Sequence, residues 1–474
     1  MSAPLLALAR KETRALLPVW AATATTIAAD PWIRGTTLHS LFPLGLFAYV
    51  VGSLALGAHV MGHEYSNRTL GSLLAQPCRR ASILLIKASI LAAMLVGLVL
   101  IAWPLLFVGN GRMFAEVSPA AAVVLPFAGG LFVAPYLTMR LRSQMAGVVF
   151  TGAIPGTTWL MALLVGITVY GVRATAPETL AIAVWRPAMW IIAAAGAVFS
   201  ARTFMRLQDV EGGREELRLP RWLAATDRNP VRPPLWMLVK KELRLQQMTF
   251  AMPLVFGGTW LALTIAGRLN PEFGRDFPIR AVALLYFALL PLLIGSLGSA
   301  QERQFGMLES QVMLPVPYAQ QWAVKAGVVL TLALVLGVLI PWFTFAPPQV
   351  SKDAFWPLTA GVLVLAAWSL YLSSWSPSGI IALALVLPAT AAGIVSARWI
   401  DSFIESFGPG HTLGPKPPDL ITLAALGAPL TVALVLFAGR NHRTPERSVK
   451  RLATQAACLL AVFAATDVLL TALL

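Results

Sequence analysis

Glu64 and Glu302 stand at the ends of two long apolar runs, and an arginine follows each within four residues. Ahead of Glu64, His59 and His63 lie four apart, a spacing that turns two imidazoles to one helix face and can bind zinc. A metalloenzyme needs more than that pair. The second histidine of an H-E-x-x-H helix is missing, Asn67 standing in its place. His39 and His411 map to the opposite membrane side, and His442 falls in a basic loop. The reading preferred is a polar helix end in which Glu64 and Glu302 hold the turn that follows. The bland alternative is a solvated pairing of each acid with Arg68 or Arg303.

The surroundings of the two acids repeat. Glu64, Leu70, Pro77 and Lys87 recur as Glu302, Leu308, Pro315 and Lys325, all at a constant offset of 238 residues. In the first copy Thr69, Leu70, Leu73 and Leu74 form a short helical turn with an apolar face, which Pro77 should end. In the second, Met307, Leu308 and Val312 precede Pro315. Another element recurs ahead of each half: Arg10-Lys11-Glu12-Thr13-Arg14 is echoed by Lys240-Lys241-Glu242-Leu243-Arg244. With apolar residues on one flank, each copy reads as an amphipathic helix on the inner membrane surface, its cations toward lipid headgroups.

These elements must be carried by membrane spans. The 474 residues are 57% hydrophobic and 12% charged, with a mean hydropathy of +0.73. A soluble chain carries about 25% charged residues. Apolar runs are expected to span near residues 16–33, 41–62, 83–108, 119–139, 146–170 and 181–200. In the second half they lie near 248–267, 280–300, 323–345, 355–373, 378–397 and 420–438. A further run, 452–473, is a candidate thirteenth span. The fold class is therefore all-α, a polytopic membrane protein of two parallel-repeat bundles of six helices plus that C-terminal run. The expected organisation is a first half over 1–200, a connector over 201–235, a second half over 236–440 and a tail over 441–474. The ten-residue alternation of a membrane β-barrel is missing.

The net charge of +15 would suit nucleic acid in a soluble protein, but in this chain it reads as loop bias. With the amino terminus in the cytoplasm, 26 of the 36 basic residues fall on the inner side. Arg10, Lys11 and Arg14 precede a run without a cleavage site, so a retained anchor is expected, in a bacterial inner membrane. Cys78 and Cys458 suggest neither a metal site nor a disulfide framework.

The pattern of Glu, a Gly-Thr-Leu-like turn, a short apolar helix, Pro, basic residues and Lys resembles the permease subunits of ATP-binding-cassette exporters of the type-2 class. It departs from that class in Thr69-Leu70-Gly71, where Gly and Thr are transposed, and in Gly306-Met307. The resemblance implies that Thr69–Pro77 and Met307–Pro315 are coupling helices docking on a separate ATPase. It also implies one permease chain bound to two ATPase copies that carry ATP and Mg, with no cofactor on this chain and no enzymatic activity of its own. No G-x-x-x-x-G-K-S/T phosphate loop occurs in the sequence. The rival is a secondary transporter of the major facilitator kind, whose ion-coupled members need titratable groups inside the spans. Only Asp467 lies well inside an apolar run. A receptor role is the third reading, and short outer loops weigh against it. An apolar or amphipathic cargo is expected from the nearly uncharged spans, but no side chain is assigned to it.

Overall fold

The structure is a computed structural model that describes residues 3–34, 43–67, 69–108, 119–170, 176–207, 234–269, 278–304, 306–307, 316–345, 355–407, 420–443 and 448–473. Among them every regular element is a helix. The first half carries α1 (Ala3–Ile33), α2 (Leu44–Ser66), the short α3 (Leu70–Leu74) and α4 (Arg80–Ala102). These are followed by α5 (Pro119–Ala128), α6 (Ala134–Leu141), α7 (Gln144–Tyr170) and α8 (Ala176–Met205). The second half carries α9 (Pro234–Leu245), α10 (Ala251–Leu269), α11 (Pro278–Gln304), α12 (Tyr318–Leu334) and α13 (Ile340–Phe345). It ends in α14 (Phe355–Ser373), α15 (Gly379–Phe407), α16 (Leu420–Arg443) and α17 (Val449–Leu473).

All thirteen apolar runs read from the sequence are helical. Eight helices among the described residues are long and apolar enough to cross a membrane: Leu44–Ser66, Arg80–Leu106, Ala122–Leu141, Ala183–Met205, Tyr318–Phe343, Phe355–Ser373, Gly379–Ser396 and Val449–Thr466. The chain is a polytopic helical membrane protein. Its spans differ in depth: the window of Leu44–Ser66 is 89% buried within the protein, that of Val449–Thr466 only 11%. The former is a bundle centre and the latter a peripheral helix.

Three spans contain a widened, π-type turn: Trp103–Val108, Gly129–Val133 and Val335–Leu339. Each contains a proline or lies within three residues of one (Pro104, Pro126 and Pro341). Proline cannot donate the i→i−4 bond, so the helix accommodates the loss by widening locally.

The chain divides into two compact units. One is formed by Met1–Ala28, Gly45–Met237 and Gly257–Phe277, the other by Ala29–Leu44, Leu238–Phe256 and Pro278–Leu474. Within the first, α2 runs so close to the turn after α5 that a Cβ at Gly57 would overlap the Gly130 carbonyl oxygen. Within the second, a Cβ at Gly295 on α11 would overlap the Ala366 carbonyl oxygen on α14. Gly57 and Gly295 lie at the same 238-residue offset as the hairpins.

The expected surface helix ahead of the first span is corrected. α1 runs unbroken from Ala3 to Ile33, as the helix formers from Ala7 to Leu17 carry it through the charged turn. In the second half the helix is separate. α9 stops at Leu245, the Thr249 hydroxyl donates to the Gln246 carbonyl oxygen (2.7 Å), and the Gln246 amide reaches the Ile294 carbonyl of α11 (2.8 Å). A 3₁₀ turn, Gln247–Phe250, then leads into α10.

A duplicated buried ion node as candidate functional site

Lys87, on the third long helix of the first half, is fully buried. An ammonium there requires counter-ions and acceptors for its protons. Its Nζ donates to Glu12 Oε1 (2.6 Å), to the Val60 carbonyl (3.2 Å) and to Glu64 Oε1 (3.3 Å). Lys11, whose side chain is 41% exposed, donates to the same Glu64 oxygen at 2.9 Å. The other Glu64 oxygen accepts from the Thr69 hydroxyl. Three elements, α1, α2 and α4, thus meet on two buried carboxylates at the mouth of the α3 hairpin.

The second unit builds the same node. Lys325 Nζ donates to Glu242 Oε1 (2.9 Å) and Oε2 (3.0 Å) and to the Gly298 carbonyl (3.0 Å), and pairs with Glu302 Oε2 at 2.7 Å. Lys241 pairs with Glu302 Oε1 at 2.5 Å. Val60 and Gly298, whose carbonyls take the third proton, are themselves 238 residues apart. The two repeated motifs read from the sequence, offset by 230 and 238 residues, therefore close on one another in each unit.

Histidine enters the nodes by different routes. His63 precedes Glu64 on α2, with its Nε2 3.2 Å from Glu64 Oε1. In the second unit the imidazole comes from α16. His442 Nδ1 lies 2.6 Å from the Ser299 hydroxyl and Nε2 3.8 Å from Glu302 Oε2. The sequence placed His442 in a basic loop, whereas the structure places it in the last, buried turn of α16, against Trp322. Next to it, Asn441 exchanges two amide hydrogen bonds with Gln455 of α17 (2.9 and 2.8 Å), and the Tyr371 hydroxyl joins at 3.0 Å. That buried polar clamp fastens α17 beside the second node.

The hairpins differ as well. Both begin with the same backbone closure, Thr69 N–H to the Glu64 carbonyl and Met307 N–H to the Glu302 carbonyl, each 3.0 Å. In the second copy Gly306 takes a positive φ of 66° to make the turn. Only Thr69 carries a hydroxyl that binds the node; Met307 cannot. The apolar face of α3 also points differently from expectation. Leu73 is 1% exposed and packs inward, while Leu70 and Leu74 are half-buried and Ser72, Ala75 and Pro77 are exposed. Leu308, Val312 and Pro315 lie outside the described residues.

Among the interfacial cations, Arg14 and Arg244 are exposed, as the surface reading expects. Lys11 and Lys241 are corrected: they turn onto Glu64 and Glu302 because a buried carboxylate attracts an ammonium more strongly than a hydrated headgroup does. Glu12 and Glu242 are buried. Burial is the main influence on the Glu242 carboxyl, and the charge of Glu302 acts with it; they push it up to about 7 against the pull of Lys325. Because the folded value is raised, the stability Glu242 contributes is full below its ordinary range near 4.5 and is lost as pH rises through about 7. The thermal midpoint of the detergent-solubilised protein should therefore fall between pH 5 and pH 8. Glu242→Gln should flatten that fall; an identical pH profile in the variant would remove the assignment.

No protein family, curated protein or solved structure matches this chain.

Proposed function

We propose that the chain is the membrane permease subunit of an ATP-driven exporter of the ATP-binding-cassette kind. It is organised as two fused six-span halves with the thirteenth helix appended, in a bacterial inner membrane with its amino terminus in the cytoplasm. On this reading two copies of a soluble ATPase, holding ATP and Mg, engage the two hairpins from the cytoplasm. This chain performs no hydrolysis; it converts the ATPase motion into movement of its spans, with membrane lipid around it and an apolar or amphipathic cargo.

The observation that carries the reading is the duplicated node. A short hairpin helix whose preceding acid is ion-paired to the N-terminal helix and to the third long helix cannot move alone. Displacing α3 pulls on Glu64, and through Lys87 and Lys11 on α4 and α1. A buried, multiply paired carboxylate is stiff enough to transmit such a displacement, because breaking it exposes an uncompensated charge.

The test is co-purification of the tagged chain from cross-linked native membranes. A soluble ATPase should accompany the wild type and be lost from Leu70→Asp combined with Leu308→Asp. Ala75→Glu, at the exposed residue that follows α3, should weaken the association while leaving the size-exclusion profile intact. Wild-type chain that carries no ATPase under these conditions defeats the proposal in favour of a secondary transporter.

A further inference from the structure

We propose that the first node also holds a divalent transition-metal ion of the zinc class, ligated by Glu12, His63 and Glu64. The inference is independent of the transport reading. His63 Nδ1 lies 2.9 Å from the His59 carbonyl oxygen, which can only accept, so Nδ1 carries a hydrogen and donates it. Nε2 is then turned toward carboxylates: Glu64 Oε1 at 3.2 Å and Glu12 Oε2 at 3.8 Å. Both Nε2 and Glu12 Oε2 are buried, and neither has a hydrogen-bond partner among the described residues. A bare imidazole lone pair facing two carboxylate oxygens is repelled by them, so a positive centre belongs between.

The spacing suits an ion better than a proton. A proton on Nε2 could reach Glu64 Oε1 at 3.2 Å but not Glu12 Oε2 at 3.8 Å, and so leaves the buried Glu12 oxygen without a partner, whereas an ion between the three binds both carboxylates. A zinc ion with bonds of about 2.0–2.1 Å sets its tetrahedral ligand atoms about 3.3 Å apart. The separations of 3.2 and 3.8 Å bracket that, and one donor atom from each of the three residues falls within 4.8 Å of the others. The hydrogen bond from Nδ1 to a backbone carbonyl is the orienting contact that metal-bound imidazoles usually make. The imidazole among the ligands favours zinc or iron(II) over calcium or magnesium, which take oxygen ligands.

Charge permits the ion. Lys11 is partly in water and can turn out, leaving a 2+ ion beside Glu12, Glu64 and the buried Lys87, one net positive charge in all. A doubly protonated His63 with both lysines in place would leave the same net charge. The second node makes the contrast. There the Ser299 hydroxyl can donate to His442 Nδ1, which puts the ring hydrogen on Nε2 so that no bare lone pair faces Glu302, and both Glu242 oxygens already accept from Lys325. The site is therefore expected in the first unit alone.

The experiment uses the full chain purified by a tag without histidines, stripped with chelator, equilibrated with micromolar zinc and freed of unbound ion. Elemental analysis should find about one zinc per chain. His63→Ala and Glu12→Gln should each lose at least tenfold in zinc affinity, while His442→Ala retains it. Cobalt substituted into the wild type should give the visible absorption of a tetrahedral site, a readout that does not depend on the variants folding. No retained zinc, equal retention by a folded His63→Ala chain, loss from His442→Ala as well, or cobalt without those bands would each overturn the proposal.

Discussion

Lys87→Met should destabilise the protein by about 3–5 kcal/mol, the usual result of removing one partner from a buried ion pair. Methionine fills a similar volume, so the effect is electrostatic and not a cavity. The Glu12 and Glu64 carboxylates would remain buried, with Lys11 alone and from one side to compensate them. Unfolding of a polytopic chain is not two-state, so the fitting measurement is the irreversible thermal midpoint in detergent together with the amount of chain recovered from the membrane. Lys325→Met should behave alike, since Lys325 is the ammonium that Glu242 and Glu302 share. The diagnostic comparison is Lys87→Met with Glu12→Gln. If the loss comes from uncompensated charge, the double variant recovers part of the midpoint that the lysine substitution alone costs. A double variant as unstable as the sum of both singles would mean that Glu12 and Lys87 do not interact.

The same pair shows what the sequence could and could not reveal. Long apolar runs announce helices by length alone, and all thirteen were legible. The first hairpin was legible because Pro77 punctuates it and because the pattern recurs. The node was not. Glu12 and Lys87 are 75 residues apart and belong to motifs with different offsets, so nothing local joins them. The available signal was Lys87 itself, an ammonium in an apolar run that needs an acid from elsewhere, with Glu12 and Glu64 on the same predicted side. Leu73 was legible as part of the apolar face of α3, but periodicity does not say whether the chain or a partner covers that face, and within the chain Leu73 is buried. His442 was misread because the end of α16 extends past its apolar stretch, through Arg440 to Arg443, held by the Asn441–Gln455 clamp.

Gly57→Leu should be the most damaging single change on the second long helix. Replacing glycine by leucine inside a helix would gain up to about 1 kcal/mol from propensity alone. Here the first added carbon already overlaps a backbone oxygen, that of Gly130, and backbone cannot rotate away as a side chain can. Overpacking that side chains relieve costs about 1–3 kcal/mol, and a clash with rigid backbone lies at or beyond the upper end of that range. α2 must then separate from the turn after α5, and the Tyr49 hydroxyl, bound to the Val123 carbonyl at 2.8 Å on the same face, loses its acceptor. Gly295→Leu should act likewise at the Ala366 carbonyl, parting α11 from α14 and loosening the bonds from Ser369 to the Leu292 carbonyl (2.6 Å) and from Ser373 to the Ser296 carbonyl (3.0 Å). Gly156→Leu, on α7 where an added Cβ meets nothing within 4 Å, is the control and should leave the thermal midpoint near that of the wild type. A Gly57→Leu chain that melts with the control would mean that the two helices do not approach as closely as the backbone places them. Because α2 also carries His63 and Glu64, its displacement should reach the first node and loosen the pairing of Glu64 with Lys87.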